Sequence, residues 1–325
     1  MNEIHTENVV VRNENPRKKG AAKYIVGGCI VALGILLVTI AVCIDGFQLF
    51  THFPEVNIGP FGVRVYYSPD DYNISSGGIN VMQSSDIKNI KLDIDYGKVI
   101  IQRGNVETID IQTNNIVEER FKWAVDGDTL RVRYKKGFTL FSFNIFGRNE
   151  KILITLPKDA VYDDLEIDNG AGEMLVSDLE VKTVDIDNGA GELRLENVTA
   201  EGKVDMETGA GAMRIDGMTC KNLIIQTGVG EVNLTDVSCE GLKASSGVGA
   251  FTFKGRIDGD ADIENGVGEI RMNLSGNSGD YGFKVDSGIG KVRVNGNTPV
   301  QTSGAKYDFK VSTGIGEVRI DFEEE

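Results

Sequence analysis

Histidine is nearly missing from this chain: His5 and His52 are its two copies in 325 residues. A Ser-His or Cys-His nucleophilic pair is therefore excluded everywhere beyond residue 52. A basic excess is missing as well, since 34 Lys and Arg face 49 Asp and Glu, for a net charge of −15. Such a surface repels nucleic acid and tolerates counter-cations. Cysteine is scarce, with four copies, of which Cys29 and Cys43 fall inside an apolar run. Beyond that run no long amphipathic helix is evident.

Long hydrophobic stretches are absent but for one. Tyr24–Ile44 holds 21 residues without a charge, enough at about 1.5 Å per residue to span a bilayer core of roughly 30 Å. Arg17, Lys18, Lys19 and Lys23 precede it and Asp45 follows. The bias of positive charge toward the cytoplasm predicts a tail at 1–23, a single-pass transmembrane helix at 24–44 and everything after Ile44 outside the cell membrane. The tail carries five basic and three acidic residues, +2, so the remainder carries −15 − 2 = −17. A cleaved signal peptide is the competing reading, but the run exceeds a usual h-region and no small-X-small site follows it.

What the chain has in abundance is glycine, with 40 copies, and much of it is in register. Gly-X-Gly recurs as Gly170 with Gly172, Gly189 with Gly191, Gly209 with Gly211, Gly228 with Gly230, Gly247 with Gly249, Gly266 with Gly268, Gly288 with Gly290 and Gly314 with Gly316. The intervals are 19, 20, 19, 19, 19, 22 and 26 residues. Self-similarity on this scale is the signature of a solenoid. Within one repeat, Val184 and Ile186 alternate with Asp185 and Asp187, and after the glycines Leu193 and Leu195 alternate with Glu192 and Arg194. Alternation of period two marks strands with one buried face. Each repeat thus reads as two short strands meeting at a glycine corner, where glycine supplies the unusual dihedrals.

A third apolar position, at Leu179, Val198, Met218 and Val237, follows a turn residue. The expected fold is all-β, a parallel β-helix of about 19-residue coils stacked roughly 4.8 Å apart. The residue between the glycines, from Ala171, Ala190 and Ala210 through Val229, Val248 and Val267 to Ile289 and Ile315, is expected to point inward and to grow along the axis. Glu323, Glu324 and Glu325 are expected to charge the terminal edge.

Residues 45–86, with Pro54, Pro60 and Pro69 and a glycine pair, read as a stalk. Residues 87–157 read as irregular coils and a cap. Asp95-Tyr96-Gly97-Lys98-Val99 is a worn copy of the corner. Trp123 and the cluster Phe138, Phe141, Phe143 and Phe146 are placed in that cap, although a ligand platform also fits. Residues 158–325 are the regular repeats.

The motifs Asn-Gly-Ala-Gly-Glu at Asn169–Glu173 and Asn188–Glu192, Thr-Gly-Val-Gly-Glu at Thr227–Glu231, and Leu156-Pro157 before the regular coils resemble a bacterial surface family named putative adhesins. The resemblance covers Ile87 to Phe322. It implies a β-solenoid with an N-terminal membrane anchor and a non-enzymatic, extracytoplasmic role in adhesion or in cell-envelope stress responses.

Register turns spacing into columns. Glu166, Asp168, Asp185, Asp187, Asp205 and Glu207 fall on one face of three successive coils. Like charges about 5 Å apart repel unless screened or bridged by a hard cation. Weak, non-catalytic Ca²⁺ binding at these six is one reading, and a solvated face is the other. No other cofactor is expected. The column Asn169, Asn188, Thr208, Thr227, Ser246, Asn265, Ser287 and Thr313 precedes each corner. It serves either the corner backbone or a glycan. Cys220 and Cys239 lie one period apart, and either a disulfide or two small half-buried side chains in register satisfies that spacing. Regular columns offer no singular catalytic centre, so a polysaccharide-cleaving site built on Glu207 and Arg214 ranks below a binding module, with an envelope glycan or surface protein as partner. A signalling role through a membrane partner is the alternative.

Overall fold

The computed structural model describes residues 55–59, 62–66, 74–81, 87–135, 149–298 and 304–323. The expected anchor at 24–44 and the cluster Phe138–Phe146 lie outside them. Among the described residues no helix is long and apolar enough to cross a membrane. The helical content there is limited to one-turn 3₁₀ segments at Glu118–Arg120 and Ser278–Asp280.

The strands, in chain order, are β1 Glu55–Gly59, β2 Gly62–Tyr66, β3 Ile74–Val81, β4 Asn89–Gly104, β5 Ile109–Val117, β6 Phe121–Asp126, β7 Thr129–Tyr134 and β8 Lys151–Pro157. The regular repeats follow as β9 Tyr162–Ala200, β10 Lys203–Val248, β11 Phe251–Ile257, β12 Ala261–Val267, β13 Ile270–Ser275, β14 Tyr281–Ile289, β15 Val292–Val294, β16 Tyr307–Ile315 and β17 Val318–Glu323. β1 and β2 form a separate antiparallel pair.

One coil has three faces. In the second regular coil Val184, Ile186 and Asn188 point inward from the first face, Leu193 and Leu195 from the second, and Val198 and Ala200 from the third, all buried. The next coil lies on it in parallel register, with Val204 beside Val184, Met213 beside Leu193 and Met218 beside Val198. Each fully buried Val, Leu or Ile contributes about 1.5–3 kcal/mol, and each is shielded only because a coil lies above and below it.

The corners explain the glycines. At Gly191 φ is +118°, and a Cβ would stand 1.9 Å from the carbonyl oxygen of Gly172 one coil below. Both backbone conformation and stacking therefore demand glycine. The second glycine of the later corners repeats this arrangement: Gly211 stands over the Gly191 carbonyl, Gly230 over Gly211, Gly268 over Gly249 and Gly290 over Gly316. At the first glycines, Gly170, Gly189, Gly209, Gly228, Gly247, Gly266, Gly288 and Gly314, a Cβ would stand 2.4–2.6 Å from a neighbouring coil's carbonyl oxygen, less close but still too close for a side chain.

These corners do not all divide a repeat into two strands, as the sequence reading expects. Backbone pairing runs unbroken past Gly172 and Gly191 in β9 and past Gly211 and Gly230 in β10, which are therefore 39 and 46 residues long. From Gly249 onward the strand stops at the second glycine: Gly249, Gly268, Gly290 and Gly316 fall between successive strands. The corner between the second and third faces is turned by Asp178, Asn197 and Asp236 at φ 55°, 52° and 54°, a left-handed region that Asp and Asn tolerate.

The residue between the glycines points outward, contrary to the sequence expectation. Inward positions are even-numbered before this corner (Val184, Ile186, Asn188) and odd-numbered after it (Leu193, Leu195). The turn shifts the alternation by one residue and leaves Ala190 outside. The result is an external apolar ridge that grows along the axis and ends in Ile315 and Ile289, 51% and 69% exposed.

At the proximal end β4 stacks beneath the first regular coil, with Tyr96 beside Ala171 and Gly97 beside Gly172, so the worn corner is a corner. β7 and β8 lie in parallel under the two halves of β4. The direction then reverses: β5 runs antiparallel to β8, β3 to β5, and β6 to β7. β3 comes from the segment read as a stalk.

At the distal end the coils leave sequence order. β16 and β17 stack on β12 and β13, and β14 and β15 stack outside β16 and β17. The C-terminal coil is thus next to last. Glu323 pairs with Ser275 rather than charging the terminal edge, while Glu324 and Glu325 lie outside the described residues. Aromatic rings fill this end: Tyr281 meets Phe309 edge-on at 4.9 Å between centroids, and Phe283 meets Phe322 at 5.8 Å. The Tyr281 hydroxyl donates to the Ile257 carbonyl at 3.1 Å.

Candidate functional site

The outward side chains form ladders along each face. On the first face Lys91 stands in register with Glu166, and Asp93 with Asp168. Asp205 and Glu207 stand in register with Asp185 and Asp187. All six carboxylates named from the sequence do share one face. Their ends are capped by cations: Lys91 bonds Glu166, Lys135 and Arg133 both reach Asp93, and Lys203 bonds Asp205 at 2.7 Å. Between these caps Asp187 has its pKa raised by partial burial first, then by Asp185, Glu207, Asp168 and Asp205. The side chains of successive coils project in parallel, so they repel without converging. Among the described residues no group of three or more His, Cys, Asp or Glu gathers as a metal centre.

The second face carries a mixed ladder. Arg214 reaches Glu192 on the coil below, whereas Arg194 bonds Glu196 and Arg271 bonds Glu269 along their own strands, both at 2.6 Å. Lys98 and Glu173 pair at 2.8 Å. These pairs are exposed, and each contributes about 0.2–1 kcal/mol.

The polar column before each corner is interior. Asn169, Asn188, Thr208, Thr227, Ser246, Asn265 and Thr313 are 1–7% exposed, which closes it to a glycan. Asn169 Nδ2 donates to Asn188 Oδ1 at 2.7 Å, Asn265 Nδ2 to the Gly249 carbonyl at 3.0 Å and Ser287 Oγ to the Gly316 carbonyl at 3.1 Å. The column therefore serves the corner backbone at several coils. The hydroxyls of Thr208, Thr227 and Ser246 have no partner among the described residues.

Cys220 and Cys239 are buried, and both thiols are free. Burial pushes the Cys220 thiol up to about 12 and that of Cys239 higher still. Neither is poised as a nucleophile or ligand, since both need the thiolate. One groove among the described residues is lined by Lys203, Lys243, Lys310, Asp260, Asp262 and Asp308 among others. Its mixed charge singles out no ligand. The sequence reading missed the external ridge and the displaced last coil; the parity of buried positions and the 22- and 26-residue intervals were the signals that could have found them.

With this geometry established, comparison with known proteins gives a family. Toastrack DUF4097 matches residues 87–322. Among solved structures, a putative adhesin from Bacteroides fragilis is 16% identical, with 76% of this chain and 96% of that one covered at a TM-score of 0.49. A putative adhesin from Parabacteroides distasonis is 12% identical, covering 78% and 98% at 0.36. A putative lipid binding protein from the same organism is 10% identical, covering 78% and 98% at 0.39. No curated protein matches.

Proposed function

The chain belongs to the Toastrack DUF4097 family, and from that premise we propose that it is a non-enzymatic, adhesin-like binding or scaffolding module of the bacterial cell surface. In this reading residues 24–44 anchor the chain once in the cell membrane, residues 1–23 stay in the cytoplasm, and the solenoid stands outside. The observation that carries the proposal is the register itself. Exposed side chains repeat coil after coil along flat faces, as on the Asp168–Asp187–Glu207 ladder, and a repeated ladder suits an extended partner such as a glycan or a surface protein. We take the six carboxylates as a solvated acidic face, because parallel side chains give a hard cation no closed set of oxygens.

The test is binding of a labelled fragment, Phe53–Glu325, to intact cells and isolated envelope polymers, with and without Ca²⁺. Saturable binding independent of Ca²⁺ is the expected result; no binding to either target sinks the proposal. Exchange of Ca²⁺ for a chelator is expected to leave the melting temperature unchanged. A rise with Ca²⁺ would reinstate a cation at this face.

A further inference from the structure

We propose that the distal coil is a self-pairing surface. Two copies of the chain meet end to end, with β14 of one running antiparallel beside β14 of the other about a two-fold axis at Val285. The proposal stands apart from the adhesive reading, since it needs no foreign ligand.

Three observations carry it. First, β14 is the outermost strand of its face: one edge pairs with β16 from Tyr281 to Ile289, and among the described residues no strand pairs with the other edge. An open strand edge is a template for another strand. Second, the same coil blunts its neighbouring edge. After β15 the chain turns through Asn295 and Gly296, at φ 49° and 75°, and Val294 and Asn297 exchange backbone hydrogen bonds of 2.8 and 3.0 Å. Asn-Gly is the residue pair that such a tight hairpin turn favours. The coil therefore closes one edge and leaves β14 open.

Third, the open edge is complementary to itself. Val285 is the midpoint of the nine-residue strand Tyr281–Ile289, half-buried on the inner side, with Lys284 and Asp286 exposed on either side of it. An antiparallel copy centred there sets Lys284 opposite Asp286 twice and Val285 opposite itself. Opposite charges directly across an antiparallel pair attract, whereas like charges repel. Centring the pair on Lys284 or Asp286 would set like charges face to face. A half-residue slip would mix inner and outer faces. The register centred on Val285 is also the one that pairs the whole strand, and it is the register of a closed two-fold contact. In a three-sided coil that axis superposes the second face of one copy on the third face of the other, so Arg293 does not meet its own copy. The proximal ends of the two solenoids then point away from each other.

The experiment is sedimentation of the full chain in detergent, with charge-reversed variants. The unaltered chain is expected to be dimeric. Lys284→Asp and Asp286→Lys should each raise the dimer dissociation constant by about tenfold or more, because each creates like-charge pairs twice. The double variant Lys284→Asp/Asp286→Lys should return to within about threefold of the unaltered chain. Both side chains are exposed, and circular dichroism of each variant reports that the fold is retained. A chain that stays monomeric at about 100 µM, where contacts of even modest affinity are populated, overturns the proposal. So does a dimer that survives both single changes, since it would be held elsewhere.

Discussion

At its proximal end the solenoid is closed by β5, β3 and β6, which run antiparallel to the strands they cover, whereas at its distal end the last coil runs parallel to its neighbour and keeps β14 open. Reversal of direction ends a stack by breaking the pattern that another coil would extend. A parallel terminal coil preserves that pattern, so only its side chains and the Asn295-Gly296 turn limit further growth. The interiors differ in the same sense. Val117, Tyr134 and the isoleucines of β5 seal the proximal end with aliphatic packing and a bonded hydroxyl, while the distal end relies on rings from two coils that meet edge-on.

This contrast breaks most completely on removal of residues 304–325. The cut deletes the buried Phe309, Val311, Val318 and Ile320 and strips β14 and β15 of their neighbours, a loss on the order of 6–12 kcal/mol at about 1.5–3 kcal/mol for each side chain. Hydrogen exchange should show β14 and β15 unprotected and the coils from Val184 to Ile215 unchanged. Equal loss of protection at the proximal end would mean that the solenoid unfolds as one unit.

A single-residue version compares the two plugs. Tyr281→Ala removes the ring shared by both distal coils and should cost about 3–5 kcal/mol. Tyr134→Phe removes only a hydroxyl, which bonds Tyr96 and the Val117 N–H at 3.1 Å each, and should cost about 0.5–1.5 kcal/mol. Thermal unfolding of the two variants ranks them.

Glycines sharpen the difference between a stacked corner and a free turn. Gly191→Ala drives a Cβ into the Gly172 carbonyl and should cost about 3 kcal/mol or more. Gly127→Ala, at φ +63° in the β6–β7 turn with no atom within 4 Å of the new carbon, should cost about 1 kcal/mol. Denaturant midpoints distinguish the two.

The smallest effect lies on the acidic face. Asp187 holds its proton more tightly folded than unfolded, so its contribution to stability falls as pH rises from about its ordinary value of 3.8 through the raised one. Asp187→Asn should therefore stabilise the chain at neutral pH, by a few tenths of a kcal/mol at this exposed position, and flatten the acidic limb of a melting-temperature profile. A lower melting temperature in the variant would show that the carboxylate has a cationic partner.

Much of this architecture could be read from the chain. The alternation of Val184 and Ile186 with Asp185 and Asp187 specified a face, and the repeated glycines specified corners. The acidic column was legible because register carries spacing into space. Two features were not legible. Alternation cannot be carried through a corner where a glycine has positive φ, so Ala190 was assigned to the wrong side. Nor can the order of the last coils be read from motifs that match each other: Ile289 and Ile315 sit in equivalent corners, and either could follow Val267. The aromatic side chains Tyr281 and Phe309 decide the order by fitting together, and that fit exists only in three dimensions.

The displaced C-terminal coil also has a consequence for biosynthesis. Coils from Tyr162 to Ser275 can lock in the order in which a ribosome makes them, but the strand at Tyr281–Ile289 emerges before the neighbour it rests on. Until Phe322 is available, Phe283 and Tyr281 have no finished wall to pack against. Completion of the distal coils thus waits for synthesis of Tyr307–Phe322, and a product that stops short of those residues carries sticky aromatic surface, the mark by which chaperones and proteases sort unfinished molecules.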